Sequence, residues 1–224
     1  MKGRKTTPAP QPNRRSNAER TATTRSSLIT ACIECLIRVG HAATTTTLVL
    51  KTAHVSRGAM LHHFPSRSQL LLATAEYIEE RQNDYRQSRL RPLSGTERLF
   101  ATSEVTWELQ SQPEAAALLE IVVATISDRA LRKCFGPFLK RRAELRRESA
   151  TQIAQNLGVD DESKVHDLVR LHVACLWGLS IELMFSHDRE EVERARALYT
   201  RLERSLGKRL TDAAKREKQL RQPE

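Results

Sequence analysis

Signals that start and stop helices are crowded into residues 40–66, and this crowding constrains the fold more than any other feature of the chain. The threonines at 44–47 and Ser56 are residue types that cap helix N-termini, and each precedes a short apolar stretch. Pro65 ends the second stretch because proline disfavours helical geometry in the residue before it, and Ser66 caps the longer helix that follows. The pattern predicts two short helices joined by a tight turn.

An amphipathic helix is predicted immediately before this pair. Its apolar residues recur at steps of three and four between Leu28 and Val39, with Thr23 or Thr24 at its start and Gly40 at its end. Two short helices packed against a third form the helix-turn-helix plan, in which the second short helix enters the major groove of DNA.

The rest of the chain is also predicted to be helical, since alternating β-branched runs between turns are nearly absent. Helices are expected at residues 96–112, 114–134, 138–156, 162–185 and 189–209, with a break at Gly136 and Pro137. The fold class is all-α, with an N-terminal three-helix helix-turn-helix bundle and a larger helical domain for ligand binding and dimerisation. The expected units are a disordered basic arm (1–20), a helix-turn-helix DNA-binding domain (21–68), a helical regulatory and dimerisation domain (69–210) and a polar C-terminal tail (211–224).

Positive charge is concentrated at the N-terminal end. The chain has a net charge of +10, and residues 1–68 contain eleven lysines and arginines but only two acidic residues, Glu19 and Glu34. A basic end on a nearly neutral body indicates one part that binds a polyanion and another part with a different task. For the arm at 1–20, contact with DNA and a purely solubilising role both stay open.

Several classes of protein are disfavoured by the sequence. No signal peptide is visible and no apolar stretch approaches the length that crosses a bilayer, so a cytoplasmic protein is expected. Cys32 and Cys35 lie on the apolar stripe of a helix, where a core role is favoured over zinc or redox chemistry. No catalytic, metal-binding or phosphate-loop pattern stands out, so no cofactor, no metal and no enzymatic activity are expected.

The second short helix carries different residues on its two faces. Val55, Met60 and Phe64 have the spacing of a buried face. The other face would present small and polar residues to DNA, namely Arg57, Gly58, Ala59, His62 and His63. Because the adjacent His62 and His63 point in different directions on a helix, contact with DNA or a surface position is favoured over a shared metal site.

Residues 28–72 resemble the N-terminal domain of the tetracycline-repressor (TetR) family of bacterial regulators. The resemblance rests on Gly40, on residues 44–46, 53–58 and 62–67, and on Leu70 and Leu71. It implies phosphate contacts at the start of the first short helix, base or backbone contacts from the second, and a phosphate contact from Arg67, where the family usually has lysine. The implied DNA-binding set is Thr45, Thr46, Thr47, Ser56, Arg57, Gly58, Ala59, His62, His63 and Arg67.

Four positions depart from the family pattern. His54 replaces the usual turn glycine, and histidine is among the residues that tolerate a positive φ. Leu61 replaces a usual tyrosine and Ala59 a common threonine, so fewer phosphate contacts are expected. Leu50 replaces a usual alanine, which implies looser packing between the first two helices of the domain.

The larger domain offers candidate residues rather than a motif. Residues available for an effector pocket are Phe100, Trp107, Leu118, Ile121, Val122, Ile126, Phe138, Leu139, His172 and Trp177. They favour a hydrophobic or aromatic effector, although a plain core or interface role is an equal alternative for His172 and Trp177. Ala174 and Gly178 share one helical face and are candidates for a dimer seam, with packing inside the chain as the alternative.

The function that follows is a sequence-specific DNA-binding transcriptional regulator, specifically a ligand-responsive homodimeric repressor on a palindromic operator. Its expected partners are double-stranded DNA, a second copy of the chain and a small-molecule effector, with no membrane. The alternative is a constitutive architectural DNA-binding protein whose helical domain dimerises without an effector.

Overall fold

The structure, a computed structural model, describes residues 17–220, and all regular structure within that range is helical. The helices are α1 (Asn17–Ala43), α2 (Thr46–Ala53), α3 (Arg57–His63), α4 (Arg67–Leu90), α5 (Gly95–Gln110), α6 (Pro113–Ala124), α7 (Arg129–Leu157), α8 (Glu162–Phe185) and α9 (Arg189–Leu220). The all-α fold class is confirmed. Most of the predicted basic arm, residues 1–16, lies outside the described residues.

The first and last helices are longer than predicted. α1 begins at Asn17 rather than near Thr23, so residues 17–20 of the predicted arm are helical. α9 continues to Leu220 rather than ending at 209, and takes in most of the predicted polar tail. Both extensions lack proline and glycine and contain alanine, arginine and glutamate, which have good helix propensity.

Gly40 interrupts α1 where the sequence predicts the end of that helix. Its φ of 75° and ψ of 172° lie in a region that only glycine occupies readily, and one further turn then carries the chain to Ala43. The backbone N–H of Thr44 donates back to the carbonyl of Gly40 at 3.2 Å. The glycine therefore redirects the chain toward α2.

The predicted break before Pro137 is wrong, because α7 continues through this proline. The chain turns instead at residues 125–128, where the carboxylate of Asp128 accepts a hydrogen bond from the backbone N–H of Leu131 at 2.9 Å. Leu131 and Phe135 are fully buried, and their packing offsets the loss of the one backbone hydrogen bond that a proline removes. The two helices predicted on either side of the proline are replaced by α6 and α7.

The main apolar core is shared between the N-terminal helices and the body of the protein. It includes Leu36 of α1 and Met60 of α3, and continues without interruption to Leu71 of α4, Ile121 of α6 and Phe135 of α7. The predicted domain boundary at residue 68 therefore lies within one packed core. A smaller cluster of Trp107, Leu176 and Val192 joins α5, α8 and α9.

Two segments, Thr21–Ala43 and Glu162–Phe185, are long and apolar enough to cross a membrane by length and composition. The statement from sequence that no stretch approaches that length is therefore wrong. The first segment contributes Leu28, Cys32 and Leu36 to the main core. Core helices pass the same test, so the two segments are weak evidence for a membrane.

Candidate DNA-contacting surface and interhelical cavity

The helix α2 is fixed at both ends by the residues that the sequence singles out. The hydroxyl of Thr45 accepts a hydrogen bond from the backbone N–H of Leu48 at 3.2 Å and so caps the helix. At the other end, His54 has φ 53° and ψ 40°, which confirms the left-handed conformation expected of this residue. Thr45 and Thr47 are exposed, and Thr46 is half-buried.

The helix α3 buries one face and exposes the other, as its spacing predicts. Met60 and the following Phe64 are 2% and 3% exposed. Ser56 caps the helix, since its hydroxyl accepts a hydrogen bond from the backbone N–H of Ala59 at 3.2 Å. The opposite face is accessible to a partner: Arg57, Gly58, Leu61 and His62 are exposed, and Ala59 and His63 are half-buried.

The backbone around Gly58 is open. A Cβ built on this glycine would meet no heavy atom within 4 Å, so nothing in the described part of the chain covers this side of α3. A DNA backbone or base edge can therefore approach α3 closely at this point.

The two histidines of α3 lie edge to face, with ring centroids 5.3 Å apart. Burial lowers the pKa of His63, and the positive charges of His62 and Arg25 lower it further. The guanidinium of Arg25 lies over the ring of Phe64, 5.5 Å from its centroid. At neutral pH, His63 is therefore an uncharged hydrogen-bonding group rather than a cation for phosphate.

Arg67 connects the start of α4 to the segment between α1 and α2. Its Nε donates to the carbonyl of Thr44 at 3.0 Å, and its Nη2 donates to the carbonyl of His41 at 2.8 Å. These two hydrogen bonds hold the segment between α1 and α2 against the start of α4, a structural role that the family resemblance does not imply. The predicted phosphate contact stays a prediction, and it would have to use the remaining N–H groups of the guanidinium.

A cavity of about 70 Å³ lies among helices α4, α5, α6, α7 and α8. We call it the interhelical cavity. Its charged lining residues are Glu79, Arg86 and Arg142, and its larger apolar ones are Leu109, Leu118, Leu119 and Trp177. Two of the predicted pocket residues, Leu118 and Trp177, are thus brought together by the fold.

The other predicted pocket residues do not line this cavity; they are Phe100, Trp107, Ile121, Val122, Ile126, Phe138, Leu139 and His172. Ile121 is fully buried in the main core. The indole N–H of Trp107 donates to Glu193 at 3.2 Å. Phe100 lies beside the guanidinium of Arg204, and Phe138 packs on Phe135 with ring centroids 5.7 Å apart. Phe100, Trp107, Ile121 and Phe138 therefore already have partners inside the protein.

His172 belongs to a buried polar group between α8 and α9. Its Nδ1 lies 2.7 Å from a carboxylate oxygen of Glu203, and both side chains are 9% exposed. The hydroxyl of Tyr199 is 3.3 Å from the same nitrogen. Burial raises the pKa of Tyr199, and the negative charge of Glu203 raises it further. This geometry gives His172 two internal partners, Glu203 and Tyr199.

The lining residues that sequence reasoning missed include all three charged ones, Glu79, Arg86 and Arg142. Glu79, Gln82 and Arg86 are spaced at i, i+3 and i+7 on α4, a spacing that places them on one face of a helix. This signal was available in the sequence. The pairing of Glu79 with Arg142 joins α4 to α7, and no local pattern predicts it.

Helix α6 connects the interhelical cavity to α1 and to the segment that leads into α2. Leu118 lines the cavity, whereas Ile121 packs into the core that contains α1. The carboxylate of Glu120 accepts a hydrogen bond from the backbone N–H of His41, next to the break in α1. A displacement of α6 would therefore act directly on the segment that leads into α2.

An apolar surface runs along α8 and α9, and no other residue of the described range 17–220 covers it. Ala174 and Gly178 are exposed on α8, on the same helical face as other exposed apolar residues. These are Leu171, Ile181 and Phe185, and the exposed leucines of α9 are Leu198, Leu202 and Leu206. Phe185 is 76% exposed, which is unusual for so large an apolar side chain. We call these residues the α8–α9 surface.

Comparison with known proteins agrees with this architecture. The family described as bacterial regulatory proteins of the tetR family matches residues 28–74. The HTH-type transcriptional regulator CymR of Pseudomonas putida is 29% identical over 188 residues, which cover 83% of this chain and 91% of that protein.

Solved structures share the fold. A transcriptional regulator from Rhodococcus sp. Rha1 gives a TM-score of 0.65 at 18% identity, covering 80% of this chain and 94% of that one. A regulator from Saccharomonospora viridis, solved in complex with choline, gives 0.62 at 18% identity, covering 79% and 93%. Residues 28–74 match the tetR family of bacterial regulatory proteins, and the similarity to known regulators supports a DNA-binding transcription regulator rather than an enzyme.

Proposed function

We propose that the protein is a homodimeric repressor that binds a palindromic operator and releases it when a small molecule occupies the interhelical cavity. The observation that carries this proposal is the position of α6, which lines the cavity through Leu118 and bonds to the segment before α2 through Glu120. A repressor of this kind would act in the cytoplasm.

The proposed DNA-contacting surface consists of the start of α2 and the exposed face of α3. The hydroxyls and backbone N–H groups at the start of α2 would contact phosphates, and α3 would lie in the major groove. Its members are Thr45, Thr46, Thr47, Ser56, Arg57, Gly58, Ala59, His62, His63 and Arg67. Arg57 is exposed, and it is the residue of α3 best suited to guanine or to a phosphate.

The α8–α9 surface supports the proposed homodimer. Ala174 and Gly178 allow close approach of a second helix, and the leucines of α9 would be buried beside them. A two-fold axis through this surface would place two copies of α3 about 34 Å apart, or a multiple of it, which matches successive major grooves on one side of DNA. Two half-sites in inverted orientation follow from that symmetry.

Release would occur by a shift between two spacings of the DNA-contacting helices. A ligand that binds better to the form with the wrong spacing lowers operator affinity by the same factor by which DNA lowers ligand affinity. The shared core gives this coupling a physical route, because α4 and α6 each contact both the cavity and the N-terminal helices.

The experiment that tests the proposal selects bound duplexes from a random-sequence pool with the full chain, and footprints the enriched sequence. We expect an inverted repeat with protection of two adjacent major grooves. Enrichment of no sequence, with equal affinity for all duplexes, would overturn the proposal in favour of the architectural alternative.

A second experiment tests the dimer. Leu202→Glu places a charge in the α8–α9 surface, and Ile126→Glu places one at another exposed apolar residue, in the turn after α6. By analytical ultracentrifugation, we expect the first variant to sediment as a monomer and the second as a dimer. A dimer that survives Leu202→Glu and a matching substitution at Leu198 would contradict the proposed seam.

A further inference from the structure

The interhelical cavity contains more positive than negative charge. Of its three charged lining residues, Glu79 and Arg142 form an ion pair with Nε and Oε2 2.8 Å apart, and their side chains are 28% and 17% exposed. The guanidinium of Arg142 also lies 5.8 Å from the ring centroid of Trp177. The single carboxylate of the lining is therefore already engaged.

Arg86 is the remaining charge. Among the residues that the structure describes, none forms an ion pair or a hydrogen bond with its guanidinium. Burial lowers the pKa of Arg86, the positive charge of Arg142 lowers it further, and Glu79 opposes both. Arg86 is half-buried, so its guanidinium is still reached by solvent, and a bound anion would accept a charge-assisted hydrogen bond from it.

The rest of the lining is uncharged on every helix that contributes to it. Thr106 and Ser180 donate their hydroxyl protons to the carbonyls of Thr102 and Trp177, at 2.7 and 2.9 Å. The buried Oε1 of Gln110 has no hydrogen-bond partner in the described part of the chain. Leucines and Trp177 form the apolar part of the wall. The cavity thus offers one free cation, a few polar contacts and an apolar wall.

The cavity is small, and a larger opening lies next to it. A cleft of about 280 Å³ between α4 and the α5–α6 region shares Gln82 and Leu109 with the cavity as common walls. A ligand that enters from this cleft has to pass these two side chains. The lining has two arginines and one glutamate, and this net charge of +1 favours a monoanion over a doubly charged phosphate.

We propose that the interhelical cavity binds a small organic monocarboxylate with an apolar body, held by its carboxylate on Arg86 and by its body against Leu109, Leu118 and Trp177. A planar guanidinium accepts a carboxylate through two parallel hydrogen bonds, which gives both affinity and orientation. The proposal rests on the ligand response proposed above and names the chemical class of that ligand.

The test compares carboxylates with amides of the same shape. The probes are acetate, pentanoate and benzoate, each paired with acetamide, pentanamide or benzamide, and binding to the full chain is followed by calorimetry. The Trp107→Phe variant leaves Trp177 as the one tryptophan, so its fluorescence reports on the cavity. We expect at least one carboxylate to bind and its amide to bind at least about tenfold more weakly.

Arg86→Gln should weaken binding of that carboxylate at least about tenfold, whereas Arg91→Gln, at the exposed end of α4, should leave it unchanged. Arg86→Met should raise the melting temperature of the ligand-free protein, because it removes a half-buried charge that lacks a partner. This variant therefore stays folded while it loses the site.

Binding of no carboxylate, equal binding of acid and amide, or binding that is insensitive to Arg86→Gln would each overturn the proposed ligand class. Operator release separates this result from the proposed function. If another molecule releases the operator and no carboxylate binds, the proposed function is supported and the proposed ligand class is wrong. If a carboxylate binds at Arg86 and the operator is not released, the proposed binding site is supported and the proposed ligand response is wrong.

Discussion

The carboxylate of Glu120 and the backbone N–H of His41 form a 2.5 Å hydrogen bond, although the two residues are 79 positions apart in the chain. The positive φ of Gly40 turns the N–H of His41 out of the helical pattern and makes it available to α6. A Cβ at position 40 would lie 3.1 Å from the same carboxylate. The contact therefore depends on glycine through both its conformation and its size.

Gly40→Ala should lower the free energy of unfolding by about 1–3 kcal/mol, because the backbone at this position is in a region that alanine rarely occupies. The matched control is Gly58→Ala in α3, where an added Cβ meets nothing within 4 Å. That change should raise the free energy of unfolding by roughly 0.5–1 kcal/mol. Urea denaturation measures the free energy of unfolding of both variants. If both substitutions change it in the same direction, the prediction is wrong.

Substitutions at Arg67 and at Arg57 should have different effects: the first should lower the free energy of unfolding, and the second should weaken DNA binding. Arg67→Lys keeps the charge but loses the two-point contact with the carbonyls of Thr44 and His41, and should cost about 1–3 kcal/mol of stability. Arg57→Ala should leave unfolding unchanged and weaken operator binding by about 1–3 kcal/mol if Arg57 contacts a base. Urea denaturation and operator titration measure the two effects; unaltered stability in Arg67→Lys would assign Arg67 to DNA alone.

His41 should make the protein less stable in mild acid. Burial lowers the pKa of His41 below 6.5 and Arg67 lowers it further, whereas Glu120 and Asp128 oppose the shift. The unfolded chain therefore takes up this proton at a higher pH than the folded chain, so stability falls as the pH drops from about 6.5 through the lower folded pKa. Urea denaturation at pH 7.5 and 5.0 should show a smaller loss in His41→Asn than in the original protein. Equal losses would remove His41 as a cause.

Cys32 should be unreactive in the folded protein. Burial raises its pKa to about 11, and the thiol is fully covered within the main core. Cys35 is equally buried, with its sulfur 3.4 Å from the hydroxyl of Thr52. A thiol reagent at pH 8 should therefore modify only Cys134 and Cys175 until denaturant is added. Rapid modification of four thiols in the native state would show that the core opens at α1.

Local features of the DNA-contacting helices could be predicted from the sequence because caps and turns depend on neighbouring residues. Ser56 and Ser66 cap α3 and α4 as expected, and His54 adopts the expected left-handed conformation. The error at Pro137 has a different origin, since tertiary packing of Phe135 and its neighbours outweighs a local breaker. A proline alone does not reveal that packing.

The lining of the interhelical cavity could not be predicted from the sequence, because it too depends on tertiary packing. Aromatic residues were the natural candidates, but Trp107 and Phe138 have partners in the interior that are distant in sequence or depend on helix orientation. The isolated charge of Arg86 becomes visible only when α4 and α7 are placed side by side and Glu79 is seen to pair with Arg142. Contacts between distant helices, rather than composition, decide which charges remain free.

The apolar core shared by α1, α3, α4, α6 and α7 means that α1, α2 and α3 pack as part of the same folding unit as the body of the protein. A fragment that ends at residue 68 would leave Leu36 and Met60 without Leu71, Ile121 and Phe135. Protection of backbone amides from hydrogen exchange should therefore rise together in α1 and α6 when a ligand occupies the body. Heating should melt both parts in a single transition, and a ligand bound in the interhelical cavity should make α1, α2 and α3 harder to unfold.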